Sequence, residues 1–233
     1  MNFKIISYYT KGDNRNYYQK CADMMKESCS KFNFDCYIKE VPSKKNYNDN
    51  IKFKPIFIKQ CVEQFDVPVL FLDIDAEITG SIPDEMKDLN QYDIGITKTW
   101  GDAESDQQQE YKKHMKIPSS PRELSIRDGF LYVNNTKNGI DFLTEWDSMC
   151  KTSMYQKWRS HRPLDHTMKL FLIQNKPTKI KILSSYVNCC PTISRHGGVH
   201  SRDKNELLKN NKVFCFYRVS SMSKNGEVKN AIQ

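Results

Sequence analysis

Hydrophobic positions in the N-terminal half switch between short continuous runs and three- or four-residue steps, the mark of strands alternating with helices. Phe3 to Tyr9 (FKIISYY) predicts a buried first strand, and Gly12-Asp13-Asn14 supplies a turn and a helix N-cap. Tyr18, Ala22, Met25, Cys29 and Phe32 then recur at helical spacing on one face. Phe34 to Val41 is strand-like and Pro42 to Asn50 is a polar loop, after which Ile58, Val62 and Phe65 mark a second amphipathic helix from about Lys54. The order to this point is βαβα, which predicts an α/β fold.

Val67 to Leu72 (VPVLFL) is an almost unbroken apolar run, as in a parallel strand covered on both faces, and it stops at Asp73-Ile74-Asp75. Tyr92 to Thr97 and Gly129 to Val133 predict further strands, the second followed by a helix along which Ile140, Leu143 and Trp146 step. Between those strands, Trp100 to Arg127 is polar, Gln-rich and punctuated by Pro, and a loop of that length in a compact domain has a functional role or moves. Pro163 to Gln174 reads as a helix with Met168, Phe171 and Leu172 inward, and Ile180 to Leu183 and Val213 to Tyr217 as late strands. No internal repeat or linker divides the chain, so residues 1–233 are expected to form one domain.

Composition narrows the classes. With 38% hydrophobic residues, 12 Phe and 12 Tyr, the chain has enough apolar surface to offset chain entropy, which excludes disorder. A formal charge of +8 favours an anionic ligand or a solvated lysine surface. No apolar run approaches the ~20 residues of a membrane span, and Met1 to Thr10 enters a strand pattern directly in place of a leader; a soluble, cytoplasmic protein is expected. The 8 cysteines are scattered, with Cys21, Cys29 and Cys61 at apolar helix positions, as buried thiols in a reducing compartment would be. Without a C-x-x-C pair, thiolate-bound zinc has little support.

The acidic strand end carries the candidate chemistry. Open α/β sheets bind ligands at the carboxyl ends of their strands, and Asp73 and Asp75 stand at such an end. In an extended segment residues two apart point the same way, so both carboxylates can converge on one hard cation while Ile74 packs behind. Their mutual repulsion is relieved by a divalent ion carrying an anionic ligand. A pair of solvated loop carboxylates is the alternative.

Asp66 to Ile82 (DVPVLFLDIDAEITGSI) resembles the DxD-bearing segment of GT-A glycosyltransferases, the nucleotide-diphosphosugar transferases. Lys54-Pro55, Gly129 to Thr136 (GFLYVNNT) and Asp165-His166 resemble segments that occur in the same order in that superfamily. The resemblance implies a Rossmann-like GT-A domain with a mixed, mostly parallel central sheet flanked by helices, its nucleotide-binding part about 1–98 and its acceptor-side part about 99–233. It implies Mn²⁺ or Mg²⁺ on Asp75 with Asp73, bridging to the diphosphate of a sugar nucleotide, a UDP-sugar in preference to a GDP-sugar. Such an ion neutralises charge on the departing nucleoside diphosphate. The acceptor is a glycan or another hydroxyl compound.

Further site residues follow from the same likeness. Tyr8, Thr10 and Lys11 are candidates to hold base and ribose, with Lys54, Asp128 and Gly129 also in the donor site; Asp128 contacts a sugar hydroxyl or caps a turn. His196, in ISRHGGVHSR, is the preferred extra metal ligand, with His200 its rival. Asp165, at a predicted helix start, is either a cap or the general base of an inverting transfer. Trp100 and Trp158 stack on sugar rings or belong to the core.

Two other classes compete. A haloacid-dehalogenase-like phosphohydrolase also uses two Asp around one residue, but on a first strand, whereas this motif follows the third and has Glu77 two places on. A basic nucleic-acid-binding domain fits the charge, yet lysines are dispersed and acids gather at the best site, so nucleic acid is not an expected partner.

Overall fold

The computed structural model describes residues 2–10, 17–44, 47–98, 126–156, 163–164, 167–168, 170–171, 177–184, 187–189 and 214–217. Strand β1 (Lys4–Thr10) leads into helix α1 (Tyr17–Lys31), strand β2 (Cys36–Val41), short helix α2 (Tyr47–Lys52), helix α3 (Lys54–Phe65) and strand β3 (Val69–Leu72). Strands β4 (Ala76–Ile78), β5 (Ile94–Lys98) and β6 (Ile126–Val133), helix α4 (Lys137–Lys151), and strands β7 (Ile180–Leu183), β8 (Asn188–Cys189) and β9 (Cys215–Tyr217) follow.

The main sheet has the order β2-β1-β3-β6-β5-β7. β1 is parallel to β2 and β3, and β5 to β7, whereas β6 is antiparallel to both neighbours, β3 and β5. Five strands therefore run one way and β6 alone is reversed, giving the mixed, mostly parallel sheet that the resemblance implies. A second, three-stranded sheet, β4-β9-β8, lies beside it, with Ile78 opposite Cys215.

β3 shows why an unbroken apolar run was needed. All four of its residues are buried, and they divide by parity. Leu70 and Leu72 join Ile5, Phe130 and Tyr132 under α1, through Cys21, Ala22, Met25 and Cys29, and against the small sheet. Val69 and Phe71 join Ile6, Ile94, Ile96, Leu131 and Val133 on the opposite face, covered by Phe57, Ile58, Cys61 and Val62 of α3 and Phe142, Leu143 and Trp146 of α4. Leu164, Met168 and Phe171 pack into the same layer, consistent with the inward face expected near Pro163 to Gln174.

Local chemistry sets the helix ends. Pro55 occupies the first turn of α3, where its missing N–H breaks no helical bond, and Asp66 ends the helix in the left-handed region at φ 53°. α4 begins at Thr136, whose Oγ1 accepts from the Gly139 backbone N–H at 3.1 Å. Gly139 is required there by close approach, because a Cβ would lie 2.5 Å from the Asn134 carbonyl oxygen.

Several boundaries differ from the sequence reading. The polar stretch 42–50 contains the start of α2, a helix packed against α3 and too short to register as a hydrophobic period. β6 begins three residues before Gly129, so Ile126 and Arg127 belong to a strand and not to the Trp100 to Arg127 loop. β4, β8 and the small sheet were unforeseen, since strands of two or three residues carry no measurable alternation. The rest of that loop, both tryptophans 100 and 158, and the N-cap at 12–14 lie outside the described residues.

Candidate active site

At the carboxyl edge of the β1–β3 pair, residues from several elements line one cleft of about 270 Å³. β1 supplies Tyr8, Tyr9 and Thr10, the α1 start Tyr17 and Tyr18, α2 Asn50 and Ile51, and α3 its first residue, Lys54. Phe71, Asp73, Ile74 and Asp75 come from β3 and the turn after it, and Asp128 from β6. The reversal of β6 brings Asp128 here. Leu72 pairs with Phe130, so the entering end of β6 lies beside the leaving end of β3, and the Asp73 N–H donates to the Gly129 carbonyl at 3.0 Å.

The acidic motif does not continue the strand. The Ala76 N–H donates to the Asp73 carbonyl at 2.9 Å, closing a tight turn over 73–76. Asp73 and Asp75 thus share the cleft through a turn and not through the alternation of an extended segment, while Ile74 is buried against the α1 core.

At the cleft floor, Lys54 Nζ lies 2.8 Å from Asp73 Oδ1 and 3.1 Å from Asp128 Oδ2, and donates to the Asp128 carbonyl at 3.3 Å. Its side chain is 7% exposed, against 32% and 22% for the two carboxylates. Burial favours loss of the lysine proton, but the charges of Asp128 and Asp73 outweigh it and hold the ammonium above its ordinary value. Asp73 is itself held above the usual carboxylate range by burial; Lys54 works against that rise and Asp128 adds to it. Among the described residues no cation pairs with Asp75 as Lys54 does with Asp73. Burial, then the adjacent Asp73 charge, pushes the Asp75 carboxyl up to about 7, against a backbone hydrogen bond and the more distant Lys54.

The aromatic wall is built as firmly. Tyr8 OH donates to the Asn50 carbonyl at 2.6 Å, and its ring packs at 5.0 Å from Phe57, 5.5 Å from Phe53 and 6.0 Å from Phe71. Tyr9 OH donates to Gln19 Oε1 at 2.6 Å, fixing β1 to α1, and the rings of Tyr17 and Tyr18 meet edge to face at 5.2 Å.

Of the residues singled out in the sequence, Tyr8, Thr10, Lys54, Asp73, Asp75 and Asp128 line this cleft. Gly129 does not; it acts through its carbonyl on Asp73. Asp128 is the third residue of β6, and its carboxylate is paired to Lys54. Lys11, Asp165, His196 and His200 lie outside the described residues. Tyr9, Tyr17, Tyr18, Asn50, Ile51 and Phe71 were missed. The adjacent tyrosines at the start of α1 were the visible signal; nothing in the polar 42–50 stretch distinguished Asn50.

The lining holds three carboxylates and one described cation, and that cation is committed to two of them. Such a wall repels a diphosphate and attracts a hard cation. Asp75, desolvated and without an ion-pair partner among the described residues, fits a metal-binding oxygen donor. Among the described residues no three His, Cys, Asp or Glu side chains converge on one point, so these elements offer only part of a coordination shell.

Comparison with solved structures places the architecture. A glycosyltransferase involved in the glycosylation of the major capsid of PBCV-1 superposes with a TM-score of 0.59 at 14% identity, over 94% of this chain and 93% of that one. The chain has a glycosyltransferase fold. Mouse xyloside xylosyltransferase 1, in its apo form, is similar over 97% of this chain and 99% of its own, with a TM-score of 0.55 and 10% identity. No protein-family model and no curated protein sequence matches.

Proposed function

We propose that this protein is a metal-dependent glycosyltransferase that moves a sugar from a nucleotide-diphosphosugar, a UDP-sugar in preference to a GDP-sugar, to a glycan or other hydroxyl acceptor. The observation that carries the reading is the Asp73–Asp75 turn at the carboxyl end of β3, facing an aromatic cleft in a glycosyltransferase fold. Mn²⁺ or Mg²⁺ would be held by Asp75 with Asp73, and would supply charge neutralisation for the leaving nucleoside diphosphate. Tyr8 and Thr10, with Lys11, are assigned to base and ribose. Lys54 pairs with both Asp73 and Asp128 and ties their carboxylates to the cleft floor, and Asp128 is assigned to a sugar hydroxyl.

Asp165 is assigned as the base that takes the acceptor hydroxyl proton, and His196 as the further metal ligand; both assignments rest on the sequence resemblance. The motif's position after the third strand and the glycosyltransferase neighbours favour this reading over a phosphohydrolase.

The test is thermal stabilisation by a panel of UDP- and GDP-sugars with Mn²⁺, Mg²⁺ or chelator, followed by a transfer assay with the donor that binds. A donor at 100 times its Kd adds about 2.7 kcal/mol, or roughly 5–10 °C in midpoint for a chain of this size. Asp75→Asn should lose the metal-dependent part of the shift. A panel without any shift in either metal, with wild type and Asp75→Asn alike, would reject the proposal.

A further inference from the structure

Strand order lays the cleft out along the carboxyl edge of the sheet. β1 contributes Tyr8, Tyr9 and Thr10, β3 lies beside it and leads into Asp73, and β6 comes next with Asp128. With the cleft as the donor site proposed above, on which this inference rests, base and ribose lie against β1 and the diphosphate at the Asp73–Asp75 turn. The sugar bonded to that diphosphate then continues away from β1, towards β6. Lys54 Nζ lies 2.8 Å from Asp73 and 3.1 Å from Asp128, so the two carboxylates are separated by no more than those two contacts. Asp128 therefore stands within a sugar ring's breadth of the phosphate end of the donor.

Charge along this stretch is unbalanced. Among the described residues the cleft is lined by three aspartates and a single lysine. A divalent cation and the diphosphate of a sugar nucleotide carry equal and opposite charges, so their arrival leaves the excess of carboxylate in place. Lys54 is not available to a new anion. Its side chain is 7% exposed, and its ammonium already contacts Asp73, the Asp128 carboxylate and the Asp128 carbonyl. Asp128 is 22% exposed, so water screens its charge only in part. A neutral sugar brings hydroxyls to this position, and a hydroxyl donates to a carboxylate. A uronic acid brings a second carboxylate, which has no proton to donate and meets like charge in a partly desolvated site.

We propose that Asp128 is a specificity-determining residue, which restricts the transferred sugar to neutral, hydroxyl-bearing hexoses or pentoses and rejects uronic acids.

The experiment measures binding to the full chain in Mn²⁺ by isothermal titration calorimetry, with UDP, UDP-glucose, UDP-xylose and UDP-glucuronate. UDP-glucose and UDP-glucuronate differ only in a hydroxymethyl group against a carboxylate, and UDP-xylose carries neither, so the set separates charge from size. UDP-galactose with UDP-galacturonate, and GDP with GDP-mannose and GDP-mannuronate, extend the comparison to other sugars and to the other base. The expected result is that the uronate binds at least ~10-fold more weakly than its neutral counterpart. Asp128→Asn removes the charge at nearly constant shape and should bring the two affinities within ~3-fold of each other. Asp128→Ser removes it by a second route and should do the same. A residue that only supported the fold would weaken every donor alike and leave the ratio unchanged. A uronate that binds wild type as tightly as its neutral counterpart overturns the proposal, and this comparison needs no variant to fold; so does a ratio that survives loss of the Asp128 charge. In either case binding of UDP or GDP with Mn²⁺ leaves the donor reading standing, whereas a panel in which no nucleotide binds rejects that reading and the proposal with it.

Discussion

Lys54→Met isolates the electrostatic design of the cleft floor. The substitution preserves the length and apolar stem of the side chain and removes only the ammonium, leaving Asp73 and Asp128 facing each other where a cation had stood 2.8 and 3.1 Å away. Breaking a buried pair by removing one partner costs about 3–5 kcal/mol. Here the carboxylates are 32% and 22% exposed, so water screens part of the uncompensated charge and about 2–3 kcal/mol is the better figure. For a chain of this size that is a fall of roughly 4–12 °C in midpoint.

The pH dependence has a defined sign. In wild type the Lys54 value is raised on folding, so its contribution is complete below the ordinary lysine value and disappears only in strong alkali. In the variant the orphaned carboxylates have higher folded than unfolded values. The folded state then binds more protons, and its stability rises as pH falls from 7 towards 5, narrowing the gap to wild type. Differential scanning calorimetry across that range, in chelator, measures the effect. Lys54→Met/Asp128→Asn should recover at least half of the loss at pH 7, because one of the facing charges is gone. A Lys54→Met midpoint within ~1 °C of wild type, or a double variant no better than the single, would refute the reasoning.

Three further outcomes are expected. Asp75→Asn should abolish transfer yet melt at or above the wild-type temperature at pH 7.5 in chelator; because Asp75 is raised to about 7 in the fold, its ionisation lowers stability as pH climbs from about 4 to 7, and the variant's profile there should be flatter by calorimetry. Gly139→Ala should destabilise by about 1–3 kcal/mol in urea titration despite alanine's better helix propensity, since its Cβ would sit 2.5 Å from the Asn134 carbonyl and force the start of α4 off its strand. Thr136→Ala should cost about 2 kcal/mol in the same titration, as it removes both the cap on Gly139 N–H and the hydroxyl that donates to buried Asp93 at 2.5 Å.

Local pattern determined the elements of this protein and the place where its chemistry gathers. A helix one face of which carries Cys21, Met25 and Cys29, a strand as apolar as Val69 to Leu72, and two carboxylates where that strand ends are all written within windows of a few residues, where periodicity and burial are strongly coupled. The partners of those carboxylates were decided by tertiary structure. Lys54 and Asp128 are 74 positions apart and meet only because β6 runs against its neighbours, and strand direction leaves no trace in the hydrophobic pattern of a strand buried on both faces. The donation from the Asp73 N–H to the Gly129 carbonyl likewise depends on that reversed neighbour. Which charge faces which is a long-range consequence of packing, and packing is what one-dimensional spacing does not contain.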